Sequence, residues 1–512
     1  MDALRVIPEK EAREAKIAAF SIVGKRIKVG VLSPNNDKTV MTIKSLEQQE
    51  YEVTMVLVSE YSLEKAWSRY ADLTFSTETK AGALDISSEA IKGFLTKISS
   101  LEDVQTNMKD VLQLKKGFRI SKILEIVLSG ALATKASDIH IEPEETYVRL
   151  RYRLDGVLTD IIEFDLETFG LIASRIKLLS GLKLNIKSEA QDGRFSVKIG
   201  DDEIEIRTSV LPGAYRESIV LRLLNPKSIQ VPLESLGIPK KLLSVILQEI
   251  NKPNGMILTT GPTGSGKTTT LYAFLRKIHK PDIKIITIED PIEYHLPGIV
   301  QTQVNADKNY TFALGLRSAL RQDPDVIMVG EIRDDETAQT AIDSALTGHL
   351  VFSTLHTNSA SGSFPRLTDL GVNPRVISSG INLTLAQRLI RTLCPDCRKE
   401  EPLTGENKTH VDKTIASIVD RSEVPAKFDT HWVAVGCPKC NSTGYRGRVG
   451  IYEGIMTTEV IDKALQVGAN TNDIEKAAVS QGILTMTQDG VLKVLRGITS
   501  LDELGRVISF EE

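Results

Sequence analysis

The segment at residues 261–268, which reads GPTGSGKT, constrains the fold of this chain more than any other. It matches G-x-x-x-x-G-K-[ST], a pattern whose glycines let successive backbone N–H groups face a β-phosphate. A strand-like apolar run, 256–260, precedes it, and a helix-compatible run, 269–278, follows it. A helix that begins here adds the positive end of its dipole to the phosphate site. The sequence therefore predicts a strand, a phosphate-binding loop and a helix in a nucleotide-binding α/β domain.

Each residue of this loop, together with the residue after it, is a candidate for nucleotide binding. The candidates are Gly261, Pro262, Thr263, Gly264, Ser265, Gly266, Lys267, Thr268 and Thr269. In such loops the lysine reaches the β- and γ-phosphates, and the hydroxyl that follows it binds Mg²⁺. We therefore predict that Lys267 acts in catalysis, that Thr268 is a magnesium ligand, and that the loop binds ATP with Mg²⁺.

Two acidic clusters follow strand-like runs of the sequence. The first, with Glu289, Asp290 and Glu293, comes after the run 284–288, and the second, with Glu331, comes after the run 326–329. Carboxylates at the carboxyl ends of parallel strands face the crevice in which open α/β sheets bind ligands. Hydrolysis of a nucleoside triphosphate needs one group that supports the Mg²⁺ shell and one that orients the attacking water. These carboxylates are the candidates for the two tasks.

A third strand-like run, 349–356, has a histidine at each end. A lone histidine at the end of a strand is more often structural than functional. Beside a phosphate-binding loop and two acidic strand ends, however, His356 becomes a candidate for a γ-phosphate sensor in catalysis. The sequence leaves the role of His349 open.

The pattern along the chain indicates four successive regions. Residues 1–85 alternate between helical and strand-like patterns and are interpreted as a small docking domain of the α/β class. Residues 86–116 lack a sustained apolar stripe and are interpreted as a linker. Residues 117–228 have a helical pattern followed by strand-like runs, which predicts a second, upper α/β domain. In residues 229–512 strands and helices alternate, which predicts a parallel sheet, with a C-terminal helical part at 450–512.

The composition disfavours several classes of function. The net charge is −4 and aromatic residues make up 5% of the chain, which counts against a nucleic-acid motor with a basic, aromatic channel. No run approaches the roughly 18 apolar residues of a membrane helix, and the first residues lack the basic and apolar regions of a signal peptide. We therefore expect a cytoplasmic protein with no transmembrane segment and no nucleic-acid partner.

The four cysteines of the chain form two C-x-x-C pairs. They are Cys394, Cys397, Cys437 and Cys440. Each pair places two thiolates on one tight turn, and together they complete a tetrahedral Cys₄ set with no open position. A redox C-x-x-C needs one pair in a thioredoxin-like context, which is missing here. The pattern predicts a structural Zn²⁺ in a module at 394–440, in which residues 398–436 loop out as a subdomain.

Several segments resemble, in family order, the motifs of the type II secretion and type IV pilus assembly ATPases. They are ASDIHIEP at 136–143, RYRLDG at 151–156, QDGR at 191–194, the loop at 261–268, an aspartate box at 289–293, a Walker B box at 325–331 and a histidine box at 347–356. The resemblance runs from about residue 117 to the C-terminus. It implies a RecA-like P-loop ATPase core with an upstream PAS-like α/β domain, a zinc-binding insertion and a small N-terminal α/β domain.

The resemblance also implies roles for individual residues. Glu293, the last glutamate of the aspartate box, would be the catalytic base, and Glu331 would support Mg²⁺, usually through water. In this family, arginines of the upper domain complete the nucleotide site as ATP binds. The matching residues are Arg194 in the QDGR segment and Arg207 in EIRT. An arginine fork neutralises the charge that develops on a γ-phosphate, whereas the alternative for either residue is a surface salt bridge.

The function that the resemblance implies is that of a homo-hexameric ATPase motor. It would assemble a pilus or a secretion pseudopilus through an inner-membrane platform protein, on the inner face of the bacterial cytoplasmic membrane, while residues 1–85 dock on a cytoplasmic or membrane-bound protein of the machine. Three alternatives are less favoured: a retraction motor, a nucleic-acid translocase of the same P-loop class, and a nucleotide-gated scaffold without turnover. The zinc module counts against retraction, since retraction-type members lack it. The presence of Lys267, Glu293 and Glu331 counts against a scaffold.

Overall fold

The computed structural model describes residues 2–23, 25–48, 51–72, 88–113, 116–199, 202–225 and 231–509. The chain divides into two units, Met1–Ser87 and Ser88–Glu512. Within the described ranges, no helix combines the length and the apolar character needed to cross a membrane.

The described part of the first unit is a small sheet with helices packed on it. Its elements are α1 Asp2–Arg5, α2 Glu9–Glu14, β1 Ile17–Val23, β2 Arg26–Val31, α3 Asp37–Gln48, β3 Glu52–Leu57 and α4 Glu60–Trp67. In the order β1-β2-β3, β1 is antiparallel and β3 parallel to β2. Ile27, Val29 and Val31 of β2 are buried, as expected for alternate residues of a strand with one covered face. The Trp67 indole N–H donates to the Ile17 carbonyl at 2.9 Å and fixes α4 to the sheet.

Two helices occupy the stretch in which the sequence analysis predicts a linker, residues 86–116. They are α5 Ser88–Leu95 and α6 Leu101–Leu112, and both pack against α7 Lys116–Ala133. Ser100 and Asp103 form a capping box at the start of α6, whose apolar residues at 101, 104, 108 and 111 are buried. The structure differs from the prediction here because an apolar stripe with this spacing is enough to bury one face of a short helix.

A six-stranded sheet with α7 and a further helix forms the upper domain. Its remaining elements are β4 Asp138–Pro143, β5 Val148–Leu154, β6 Val157–Phe164, α8 Leu166–Leu179, β7 Gln191–Ile199, β8 Asp202–Pro212 and β9 Glu217–Leu224. The sheet is antiparallel, in the order β6-β5-β4-β9-β8-β7. The hydroxyl of the fully buried Tyr152 in β5 donates to the Val127 carbonyl at 2.6 Å, which ties α7 to the sheet.

A seven-stranded sheet with helices on both faces forms the P-loop domain. Its strands are β10 Gly255–Thr260, β11 Ile285–Glu289, β12 Val300–Gln303, β13 Val326–Val329, β14 Leu350–Leu355, β15 Ile381–Leu393 and, after the cysteine module, β18 Tyr445–Met456. Its helices are α9 Lys240–Glu249, α10 Lys267–Ile278, α11 Phe312–Leu320, α12 Asp335–Leu346, α13 Ser363–Asp369, α14 Pro374–Gly380, α16 Glu459–Gln466, α17 Thr471–Ala478, α18 Met486–Leu495 and α19 Leu501–Val507.

The order of this sheet places the phosphate-binding loop near its centre. The strands run β12-β11-β13-β14-β10-β15-β18, and the first six are parallel whereas β18 is antiparallel to β15. Every residue of β10, β13 and β14 is buried, because helices cover both faces of such a sheet. Ile257 packs in one core, and its neighbours Met256 and Leu258 pack in another on the opposite face. The predicted α/β class with a parallel sheet is confirmed.

The residues between the two cysteine pairs form a small subdomain. It contains β16 Lys399–Pro402, α15 Gly405–Ala416 and β17 Thr430–Val433, and the two strands pair antiparallel. The Arg398 guanidinium lies 4.4 Å from the ring centre of Trp432 in β17. It also donates to the Gly497 carbonyl, so the subdomain is attached to the C-terminal helices.

Candidate active site

The loop at 261–268 connects β10 to α10. Gly261 and Gly266 have φ angles of 141° and 91°, which strain a residue with a side chain. A Cβ on Gly261 would lie 2.4 Å from the carbonyl oxygen of Gln387. The Gln387 amide donates to the Ser265 carbonyl at 2.8 Å. Strand β15 therefore holds the loop in its curled form.

The amine of Lys267 spans this loop. It donates to the Gly261 carbonyl at 2.7 Å and to the Pro262 carbonyl at 3.2 Å. Burial lowers the pKa of Lys267, and the negative charge of Glu331 opposes that shift. A bound phosphate would supply the anion that a partly buried ammonium needs, so the lysine is poised for a phosphate ligand.

A cavity of about 1050 Å³ opens between the loop and the upper domain. Eight of the predicted nucleotide-binding residues line it: Pro262, Thr263, Gly264, Ser265, Gly266, Lys267, Thr268 and Thr269. Gly261 lies just before them, at the end of β10. Cofactor sites in proteins usually measure about 300–1,000 Å³, so a nucleoside triphosphate fits.

Glu289, at the end of β11, has a structural role. Its buried carboxylate accepts hydrogen bonds from Thr287 at 2.6 Å, from Gln301 at 3.0 Å and from the hydroxyl of Tyr272. A buried carboxylate with three donors is satisfied. Glu289 therefore anchors the loop that follows β11. Glu293 of the same loop lines the cavity and pairs with an arginine of the upper domain.

Glu293, which lines the cavity, pairs with Arg207 of the upper domain. Nη1 of Arg207, which belongs to β8 of the upper domain, lies 3.0 Å from a Glu293 carboxylate oxygen. Nη2 donates to the Ile292 carbonyl at 2.8 Å, and Nε lies 3.3 Å from Glu205. The two predicted site residues are thus brought together, and the arginine neutralises the predicted base.

Glu331 lies between two basic side chains. It follows β13, its side chain is 13% exposed, and Nη2 of Arg333 lies 2.6 Å from its Oε1. Nε2 of His356, which follows β14, lies 3.1 Å from its Oε2. His356 is therefore beside Glu331 on the same cavity, where the sequence analysis expects a phosphate sensor.

The cavity lining includes oxygen donors of the kind that suit a magnesium ion. The Thr268 hydroxyl and the carboxylates of Asp290 and Glu331 line the same cavity. Mg²⁺ prefers oxygen ligands and is usually held by one or two carboxylates together with substrate phosphates. These residues fit that requirement.

Arg194 and His349 lie away from the described lining of this cavity. Arg194 is exposed on β7, directly opposite Arg207 on β8 in the antiparallel register. His349 precedes β14, at the end far from His356, and its ring contacts the Ser344 carbonyl at 3.1 Å. Arg194 is therefore a neighbour of Arg207, and neither arginine is part of the described cavity lining. The structure gives His349 a contact with the backbone at the end of β14 far from the site.

Several arginines line the cavity without having been singled out from the sequence. They are Arg153, Arg222, Arg333, Arg388, Arg448 and Arg506. On the upper domain, Asp138 accepts ion pairs from Arg222 at 3.0 Å and from Arg153 at 3.3 Å. Arg153 belongs to the RYRLDG segment, a motif to which the sequence assigns no role. The other five arginines lie in no motif that would have identified them from the sequence.

The four cysteine sulfurs cluster within 4.8 Å of one another. Three Sγ–Sγ distances are 3.9, 3.8 and 3.8 Å, whereas a tetrahedron with Zn–S bonds of about 2.3 Å has edges of about 3.8 Å. Burial raises the pKa of Cys440, but N–H donors of Cys437 and Gly444 outweigh it and bring this pKa to about 7. Burial raises the pKa of Cys394 and raises that of Cys397 to about 12, so the spacing of the four sulfurs is the observation that fits a Zn²⁺ ion.

The family described as type II/IV secretion system protein matches residues 113–506 of the chain. The type II secretion system protein E of Aeromonas hydrophila is 45% identical over 399 residues, which are 78% of this chain and 77% of the relative. The type IV pilus assembly ATPase PilB of Myxococcus xanthus is 36% identical over 507 residues, 98% of this chain and 86% of the relative.

Solved structures agree on the fold. The ATPase DotB of Yersinia pseudotuberculosis has a TM-score of 0.56 at 21% identity and covers 78% of this chain and 96% of its own. DotB of Legionella pneumophila has a TM-score of 0.53 at 24% identity, with 76% and 95% covered. At these identities the likeness concerns the fold alone, whereas the family match spans most of the chain. The chain is therefore an ATPase that belongs to the type II/IV secretion system protein family.

Proposed function

We propose that this protein is a homo-hexameric motor that hydrolyses ATP to assemble a type IV pilus or a type II secretion pseudopilus. The observation that carries the proposal is the placement of the phosphate-binding loop, Glu293 and Glu331 around one cavity that residues of the upper domain also line. Relatives named for type II secretion and for pilus assembly support the biological role.

The residues around the cavity divide the chemistry among them. The N–H groups of the loop and Lys267 hold the phosphates. Thr268 and, through water, Glu331 would hold Mg²⁺, which supplies further charge neutralisation at the phosphate oxygens. Glu293 accepts a proton from the attacking water once Arg207 has left its carboxylate. The freed guanidinium is then available to the γ-phosphate.

The ring, its partners and its location extend this proposal. Arg194 is exposed outside the cavity of its own chain, so in a hexamer it is available to the nucleotide of a neighbouring subunit. The four-cysteine cluster would hold Zn²⁺, as in assembly-type members of the family. The motor would act in the cytoplasm against an inner-membrane platform protein, while the first unit docks on a cytoplasmic or membrane-bound protein of the machine.

The proposal is tested by phosphate release from the purified chain, with light scattering in parallel and with or without a non-hydrolysable ATP analogue. We expect slow hydrolysis without DNA and a hexamer in the presence of the analogue. Hydrolysis only when DNA is added would favour a translocase. In the source bacterium, deletion should abolish filaments or secretion, whereas an excess of filaments would indicate a retraction motor.

Replacement of Arg194 or Arg207 by alanine is expected to lower turnover far more than nucleotide affinity. An arginine that stabilises the transition state contributes about 10³- to 10⁵-fold in related phosphoryl-transfer enzymes, so we expect a loss of at least about tenfold for each. Turnover and binding of a fluorescent ATP analogue measure the two effects. Lys198→Ala is the matched control, because Lys198 is exposed on the same strand and face as Arg194. Unchanged turnover in Arg194→Ala would remove this residue from the site.

A further inference from the structure

Glu331 is held by its two neighbours through different oxygens. Arg333 contacts Oε1 at 2.6 Å and His356 contacts Oε2 at 3.1 Å. The carboxylate predicted to serve the metal is therefore already paired with a cation of the chain, Arg333, and in contact with the His356 ring.

A divalent ion and this guanidinium compete for the same carboxylate. Like charges a few ångströms apart repel strongly where protein excludes water, and the Glu331 side chain is only 13% exposed. Arg333 itself is 63% exposed and lines the cavity. It can therefore turn away from Glu331 without disturbing the core, and the cavity offers a nucleotide phosphate as its next anion.

We propose that Arg333 is a positioning residue that makes metal binding depend on nucleotide. Without nucleotide, Arg333 occupies Glu331 and weakens the binding of a free divalent ion. When a nucleotide enters, its phosphates attract the guanidinium, and Glu331 becomes free to support the metal. The inference rests on the proposed nucleotide site but needs neither a hexamer nor a filament. It assigns a role to a residue that lies two positions after the end of the Walker B box.

The test is the affinity of the whole chain for Mn²⁺, measured by electron paramagnetic resonance without nucleotide and with ADP. Coupling between two ligands typically amounts to about 5- to 150-fold in affinity. We expect Arg333→Ala to bind free Mn²⁺ about tenfold more tightly than wild type without nucleotide. With ADP bound, wild type and Arg333→Ala should have similar Mn²⁺ affinities. The increase in Mn²⁺ affinity that ADP causes should therefore be smaller in Arg333→Ala than in wild type. Arg333→Lys should lie between them, since it keeps the charge but loses the fork.

Two further variants separate this proposal from a general loss of positive charge and from failure of the nucleotide site. Arg375→Ala removes an exposed arginine of the same domain outside the cavity and should leave Mn²⁺ affinity unchanged. The double variant Arg333→Ala/Glu331→Gln should lose the gain, because the freed carboxylate is gone. Equal Mn²⁺ affinities of wild type and Arg333→Ala without nucleotide would overturn the inference. Failure to bind ADP at all would instead count against the proposed function.

Discussion

Replacement of Glu293 by glutamine is expected to lower the rate of ATP hydrolysis by about 10²- to 10⁴-fold while nucleotide affinity changes little. The amide keeps the size of the side chain and can still accept a hydrogen bond from Arg207, which lies 3.0 Å away. It cannot take a proton from water. The loss corresponds to about 3–5 kcal/mol of transition-state stabilisation. Phosphate release and binding of a fluorescent ATP analogue, measured on one preparation, report the two quantities.

The matched control for this variant is Glu205→Gln. Glu205 also pairs with Arg207, at 3.3 Å, but it lies outside the described lining of the nucleotide cavity. Its removal should change turnover by no more than a few-fold, because only one contact of the guanidinium is lost. If Glu293→Gln and Glu205→Gln have equal effects, Glu293 acts only by holding Arg207, and another group must be the base.

The parts of the site at the carboxyl edge of the parallel sheet could be predicted from the sequence, because the local pattern of strands, loops and helices determines where they lie. A glycine-rich loop between a strand and a helix has one arrangement, and carboxyl ends of parallel strands meet at one edge. Lys267, Glu331 and His356 consequently line one cavity, as their positions after β10, β13 and β14 predict. The clustering of the four cysteines could be predicted for a similar reason, since each pair lies on one turn.

Contacts between distant segments could not be predicted in this way. Arg194 and Arg207 lie opposite each other on two neighbouring strands of the upper domain, yet only Arg207 contacts Glu293 in this structure. Which arginine crosses to the P-loop domain depends on how the two domains pack, and no local pattern encodes that. Arg333 was missed for a different reason. Arg333 lies only two residues after Glu331, but the sequence does not show that its side chain turns back to pair with that carboxylate.

Helix α6 was not predicted, although its sequence contains the signals of a helix. Ser100 and Asp103 have the spacing of a capping box, and apolar residues follow at helical intervals. We predicted a linker for this segment because its apolar residues recur at helical intervals over only three turns. In the structure Asn441, which directly follows Cys440, accepts a hydrogen bond from the Leu101 N–H at 3.0 Å, so part of the order of α6 comes from a residue far along the chain.

The cysteine module is connected to the nucleotide cavity through side chains. Tyr445, five residues after Cys440, donates to or accepts from Ser500 at 2.6 Å, and the Arg391 guanidinium lies 4.0 Å from its ring centre. Arg391 and Arg506 both pair with the buried Glu503 at 2.6 Å. Arg506 lines the nucleotide cavity. A change at the sulfur cluster therefore has a physical route to the nucleotide site.

Replacement of Cys394 by serine is expected to abolish stoichiometric zinc binding and to destabilise the chain. Zinc bound to such sites contributes about 10–16 kcal/mol of apparent folding energy in zinc-finger peptides, so even partial loss is large. Since each kcal/mol shifts a domain of 150–250 residues by about 2–4 °C, we expect the unfolding midpoint to fall by roughly 5 °C or more. A metallochromic dye after denaturation measures the zinc, and a thermal scan measures the midpoint.

The control for the cysteine variant is Asp396→Asn, which keeps all four thiols. Asp396 lies inside the first C-x-x-C pair and forms an exposed ion pair with Lys439 at 2.6 Å, and such pairs contribute little to stability. It should retain one zinc per chain and an unfolding midpoint close to that of wild type. A Cys394→Ser protein with wild-type zinc content and stability would contradict a structural metal site. If Cys394→Ser loses zinc but keeps the nucleotide affinity of wild type, the contacts through Tyr445, Glu503 and Arg506 do not transmit a change at the sulfur cluster to the nucleotide site.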